Sequence, residues 1–206
     1  KLWAGRLSIQ QSTAVTCVKP SGTVSQLVDS ASGIHPRHSE HYVRSVRCSN
    51  TDPMTQFMMD QGIPHEPDVT NPQRTTVFYF PVSSEGSVTR KDLTAIQHLE
   101  VWSMYQKFWC EHNPSITVSV KEDEWMEVGG WVSKNFDRVA GISFLPYSDH
   151  SYVQAPYEEC SKEKIEELKA ASPKAIDWSA LAGYEKEDNT SGSQTMACSA
   201  DSCEVV

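Results

Sequence analysis

The sequence is short of positive charge: 18 Lys and Arg stand against 27 Asp and Glu over 206 residues, a net charge of −9. A nucleic-acid polymer is held by a surplus of cations, so this balance argues against a DNA- or RNA-binding chain. Long hydrophobic runs are missing too. None approaches the ~18–20 apolar residues that span a bilayer, and the opening KLWAGRLSIQ lacks the basic and apolar regions of a secretion signal. The expectation is a soluble cytoplasmic protein with no membrane partner. Cysteine is scarce: six in a chain of this length are too few for a disulfide scaffold, and in a reducing compartment they serve as free, catalytic or metal-binding thiols. No internal repeat is visible. The first residue is Lys1 rather than Met, which suggests a piece of something longer.

What is present is a succession of strand and helix signals. Ala14, Val15, Cys17 and Val18 predict a buried strand that stops at Lys19-Pro20-Ser21-Gly22, with a short helix from Thr23 to Val28. Residues 42–46 read as a strand. Thr51-Asp52-Pro53 is a helix start, because an N-cap oxygen accepts an orphan N–H and proline at the first helical position loses no bond. That helix runs to Gly62, a plausible C′ residue. The stretch from Pro64 to Pro72 predicts a turn, and 76–80 a strand rich in aromatic and β-branched residues.

A long helix is predicted from Thr89, with Asp92 completing a near capping box. Leu93, Ile96, Leu99, Trp102, Met104, Tyr105, Phe108 and Trp109 give it a broad apolar face, and Pro114 stops it. Then come a strand over 116–120, a helix over 122–136, a brief strand over 142–145 and a charged helix over 162–171. Trp178, Leu181 and Tyr184 dock the last ordered turn. From Glu185 onward apolar residues are sparse, so a mobile tail is expected. This order implies an α/β domain with crossovers and largely parallel strands, whose ligand sites gather where strands end and loops begin.

Lys19-Pro20-Ser21-Gly22-Thr23-Val24-Ser25 suits a phosphate cradle: glycine lets the backbone approach an anion, and the hydroxyls and exposed N–H groups donate to it. It lacks the Gly-Lys-Ser/Thr of a P-loop, and a strand-to-helix turn capped by serine explains the same composition. Cys198 and Cys203 bracket four small or acidic residues. They read either as an exposed dithiol able to exchange with another protein or as two incidental cysteines, while a zinc site wants about four ligands that are not nearby. His35, His38 and His41 are spaced by three, but Pro36 interrupts the helix that would align them, so they read as loop or surface residues. Met54, Met58 and Met59 read as core. Asp123, Glu124 and Glu127 read as a solvated helix face.

Taken together, the segments 16–28 and Ser32-Gly33-Ile34-His35-Pro36-Arg37-His38 closely resemble the adenosylcobalamin-dependent (class II) ribonucleotide reductases of the monomeric, triphosphate-reducing type. Glu122-Asp123-Glu124-Trp125, Ser143-Phe144-Leu145-Pro146, Gln154-Ala155-Pro156-Tyr157-Glu158 and the terminal cysteine pair agree, in order, over nearly the whole chain. The resemblance implies that residues 1–184 are the C-terminal part of a ten-stranded α/β barrel and that 185–206 are a redox tail. It implies that Ser21, Gly22, Thr23, Val24 and Ser25 hold the substrate phosphate. Cys198 and Cys203 would re-reduce an active-site disulfide and be recharged by a thioredoxin-like protein. Adenosylcobalamin would be the cofactor, its contacts largely outside this chain, and a ribonucleoside triphosphate the substrate. The family's radical cysteine sits in a Cys-x-Glu context, and no cysteine here has Glu two residues on; the resemblance therefore puts the radical cysteine in a remaining N-terminal part, upstream of Lys1. The competing expectation is a non-catalytic nucleotide-binding module.

Overall fold

In the computed structural model, residues 1–22, 24–148 and 152–186 are described. Along the chain run α1 (Leu2–Leu7), α2 (Val24–Leu27), β1 (His41–Ser49), α3 (Pro53–Asp60), β2 (His65–Pro67), β3 (Thr75–Ser83), α4 (Ala95–Phe108), β4 (Ile116–Val120), α5 (Trp125–Lys134), β5 (Ile142–Pro146), β6 (Tyr157–Glu159) and α6 (Lys162–Ala171). Among the described residues the chain forms two compact units, one from 1–36 and 90–148, the other from 37–89 and 152–186. No helix among them is long and apolar enough to cross a membrane.

The first unit is α/β. Its strands β4 and β5 pair in parallel, Ile116 opposite Ile142 and Val120 opposite Pro146, with α5 in the crossover between them. Alternation along β4 sends Ile116, Val118 and Val120 into a core shared with Ile34, Ala95, Leu99, Trp102 and Val128. Trp102 is fully buried, and its indole N–H donates to Pro114 O at 2.6 Å. The helix predicted over 122–136 consists of a 3-10 turn at Glu122–Glu124, α5, and a second turn at Phe136–Arg138. The Glu124 carboxylate, read as solvated, accepts from Lys121 N at 2.9 Å and Ala95 N at 3.2 Å, tying the start of α4 to the end of β4.

Two expectations for this unit are corrected. Residues 14–18 form no strand, and Val15 is exposed. Their polar groups are met by the segment after α4 instead of a ladder: Val15 N donates to Glu111 Oε2 at 2.7 Å, Thr16 Oγ1 to Trp109 O at 2.6 Å, and Glu111 N to Thr16 O at 3.0 Å. The long helix begins at Ala95 and not near Thr89. Thr94 and Gln97 make the complete reciprocal cap, Gln97 N to Thr94 Oγ1 at 3.1 Å and Thr94 N to Gln97 Oε1 at 2.8 Å, and that two-sided cap fixes the start better than Asp92 can.

The second unit is a four-stranded sheet in the order β2-β3-β1-β6. Every pair in it is antiparallel, with His41 opposite Ser83 and Ser49 opposite Thr75 along the β1–β3 ladder. Largely parallel pairing was expected; β3 instead follows β2 through the turn at 68–74, runs back antiparallel to it, and lies antiparallel on β1 as well. Asp52 caps α3, accepting from Met54 N at 2.9 Å, as the Asp-Pro signal predicts. Phe57 is buried from α3, with the rings of Trp178 and Tyr184 each centred 5.5 Å away. The third member of the expected docking trio, Leu181, lies in the same 3-10 turn as Trp178. Ile165 is the buried residue of the otherwise charged α6.

Candidate functional site

The Lys19–Ser25 loop lies in the first unit and is closed by its own serines. Ser25 N donates to Ser21 Oγ at 3.0 Å, and Ser25 Oγ donates back to Ser21 O at 2.5 Å. Ser21 N donates to Ser32 Oγ at 2.7 Å, clamping the entry of the loop to its exit. Gly33 completes the closure: its φ is +60°, and a Cβ there would stand 2.7 Å from Lys19 O. Only glycine combines that φ with so close an approach at low cost.

The five expected phosphate-binding residues thus take different parts. Ser25 is buried and its hydroxyl proton is committed to Ser21 O, so it shapes the loop. Ser21 Oγ accepts from Ser25 N, a bond that does not use its own hydroxyl proton. Gly22 is half-buried and Val24 exposed, while Thr23 lies outside the described residues. Cys198 and Cys203 lie outside them as well.

The histidines behind the loop are structural. His35 Nδ1 donates to Ser32 O at 2.7 Å while its Nε2 accepts from Thr117 N at 3.0 Å. That pattern fixes the neutral tautomer and pins the loop exit to β4. His98, from α4, donates through Nε2 to Ile34 O at 3.1 Å, and its ring meets His35 edge-on with centroids 5.6 Å apart. Burial lowers the pKa of His35, the bond to Ser32 opposing it. Burial, helped by the neighbouring His35, takes His98 down to about 4 against the Ile34 bond. His98 had not been singled out in the sequence; its position one residue before Leu99 on the buried face of α4 is the signal that marks it.

In the second unit, His38 stacks on Tyr157 with centroids 5.5 Å apart, and Arg44 lies 5.3 Å over the same ring while donating to the Tyr157 hydroxyl at 2.8 Å. His41 Nδ1 lies 3.0 Å from Ser83 Oγ. The Gln154–Glu158 motif owes its shape to Gln154, which is buried at a φ of +59°. Its side chain accepts from Val69 N at 2.9 Å and donates to Glu66 Oε1 at 2.6 Å and Pro67 O at 2.9 Å. Arg47 bridges Gln154 O at 3.0 Å and the buried Asp68 carboxylate at 2.7 Å. The Thr70 hydroxyl and then Arg47, with the amides of Asn71 and Thr70, outweigh burial and hold Asp68 well below the usual carboxylate range. None of these contacts was legible as chemistry in the sequence, because glutamine and arginine carry no periodic signal.

Among the described cysteines, Cys17, Cys48, Cys110 and Cys160 are free. Burial, joined by the charge of Asp52, raises the Cys48 thiol, and burial with Glu158 raises that of Cys160. Both are poor thiolates at neutral pH.

No protein-family profile matches the chain, but individual proteins do. It is 32% identical over 164 residues to an adenosylcobalamin-dependent ribonucleoside-triphosphate reductase of Euglena gracilis, a match covering 78% of this chain and 22% of that protein. A reductase of the same name from Lactobacillus gasseri is 29% identical over 171 residues, covering 81% and 23%. The probable counterpart in Dictyostelium discoideum is 28% identical over 207 residues, covering 97% and 26%. A crystal structure of a B12-dependent (class II) ribonucleotide reductase superimposes on 88% of this chain and 26% of its own with a TM-score of 0.74 at 22% identity, so the α/β fold is shared. Over most of its length the chain is thus similar to adenosylcobalamin-dependent ribonucleoside-triphosphate reductases, and it spans about a quarter of the relatives it matches.

Proposed function

We propose that the chain is the C-terminal portion of a cytoplasmic class II ribonucleoside-triphosphate reductase, contributing the loop that holds the substrate phosphates and the dithiol that renews the enzyme. The observation that carries this reading is the alignment with reductases over most of the chain, with a loop of phosphate-binding composition closed at Gly33 and Ser32. In this reading the Ser21 hydroxyl and the backbone N–H groups between Gly22 and Val24 meet the phosphates, and Ser25 keeps them in place. The Ser21–Ser25 and Ser21–Ser32 bonds shape the loop around that site, and a loop shaped before the ligand arrives loses less entropy on binding it.

Reduction of the 2′-carbon releases the hydroxyl as water and takes two electrons, supplied by two thiols that end as a disulfide. Cys198 and Cys203 reduce that disulfide by exchange through a mixed disulfide and are recharged by a thioredoxin-like reductant. Tethering the dithiol raises its effective concentration to the order of millimolar. Adenosylcobalamin, which initiates the thiyl-radical chemistry when bound, is assigned to the remaining polypeptide. His35 does not fit as its ligand, since both of its ring nitrogens are engaged.

The test is turnover. The chain with a ribonucleoside triphosphate, adenosylcobalamin and a dithiol is expected to form no deoxynucleotide alone and to form it once joined to the rest of the reductase; product from the chain alone refutes the reading. In the joined enzyme, Gly33→Ala raises KM for the nucleotide at least tenfold. A nucleotide-binding module without catalysis would instead bind the triphosphate and never yield product.

A further inference from the structure

Helix α4 carries two apolar stripes. One, at Ala95, His98, Leu99 and Trp102, is buried in the core of the first unit. The other repeats the same i, i+3, i+4, i+7 spacing six residues later, at Val101, Met104, Tyr105 and Phe108, which sets it about 120° round the helix at ~100° per residue. Val101 touches the core from its edge, but Met104 is 57% exposed, Tyr105 41%, Phe108 73%, and Trp109 at the C-cap 59%. Covering so regular a stripe of large side chains with water has no benefit to a helix already anchored by its other face. A patch of this kind marks a surface made to meet another one.

Area and length identify the occupant. With ~150–250 Å² for each large side chain, the exposed parts of these four residues amount to roughly 450 Å². Two copies placed stripe to stripe would bury on the order of 900 Å², below the ~1,200–2,000 Å² of a stable specific interface, so the stripe suffices only as one part of a larger contact, which a partner meeting the chain over further surface can supply. The relatives that share this sequence are about four times longer, the chain covering 22–26% of them, and the solved reductase that shares the fold holds it within a similarly longer chain.

We propose that the Val101–Trp109 stripe of α4 is the face on which the remaining polypeptide of the reductase docks, through apolar side chains that close this side of the helix. The proposal rests on the reading of the chain as part of a reductase and adds to it the surface of assembly.

The test is co-expression of the 206-residue chain with a reductase polypeptide lacking the matching quarter, followed by co-purification and affinity measurement. The wild-type chain is expected to join it one to one. M104E/F108E is expected to weaken the complex at least tenfold, and M104L/F108L to restore it. Because the altered side chains point away from the core, the M104E/F108E chain alone keeps its circular dichroism spectrum and melting temperature. If M104E/F108E joins as tightly as wild type, the surface is wrong while the reductase reading stands. If the wild-type chain sediments as a dimer that M104E/F108E splits, the occupant is a second copy and the proposal fails. If the wild-type chain does not join at all, the reductase reading fails and takes this inference with it.

Discussion

His98 shows how a single side chain ties the candidate loop to its scaffold and makes that tie depend on pH. Its pKa in the fold is about 4 against an ordinary 6.5, so between those values the unfolded chain takes up a proton that the folded chain refuses. Stability is therefore complete above pH 6.5 and is lost as the pH falls toward 4, by up to about 3 kcal/mol from this residue. Urea denaturation followed by tryptophan fluorescence is expected to show that loss in the wild-type chain, and a smaller one in His98→Gln. Equal pH profiles for the two would contradict the assignment. Gly33 acts by geometry alone: the positive φ and the approach to Lys19 O explain why the loop needs a residue with no side chain. The Ser-Gly-Ile-His-Pro run was visible in the sequence as a motif, but that its glycine closes the preceding loop could be seen only once Lys19 and Gly33 were brought together.

The helices and strands were legible to different degrees, for reasons that can be named. The strand at 116–120, the helix at 162–171 and the Asp-Pro start of α3 stand where expected, because each is specified by neighbours within a few residues. Strand direction was not legible: the residue types of β1 and β3 do not carry it, and it is the place of β3 between β1 and β2, antiparallel to both, that decides it. The start of α4 was misplaced because two threonines, Thr89 and Thr94, both offer a cap, and only Thr94 has Gln97 to reciprocate. Thr94→Ala is expected to destabilise the first unit by about 1 kcal/mol, with Thr94→Ser recovering most of it, as measured by chemical denaturation. An unchanged midpoint in Thr94→Ala would mean that tertiary packing alone fixes the helix start.

For the molecule as a whole, the proposed function divides the work between a phosphate loop and a terminal dithiol, and the reason it would do so is access. A disulfide formed around a buried substrate is out of reach of a bulky reductant, and a tethered dithiol is small enough to enter. In the assembled reductase, replacing Cys198 and Cys203 together by serine is expected to spare the single turnover of pre-reduced enzyme and to lower thioredoxin-driven steady turnover by more than tenfold. An unchanged steady rate would leave the tail cysteines incidental.

The sequence by itself determined the α/β character, the family resemblance, the loop of phosphate-binding composition and the spacing of Cys198 and Cys203. These are properties of short segments, carried by periodicity, capping residues and local motifs. The tertiary structure alone decided which serine of the loop donates its hydroxyl within it and which accepts, that the histidines behind the loop are held neutral, that β1 and β3 run antiparallel, and that α4 carries a second apolar face beyond the one it buries. Each of those depends on groups far apart in the chain, 64 residues in the case of His98 and Ile34, and on the desolvation and close contact that only folding imposes.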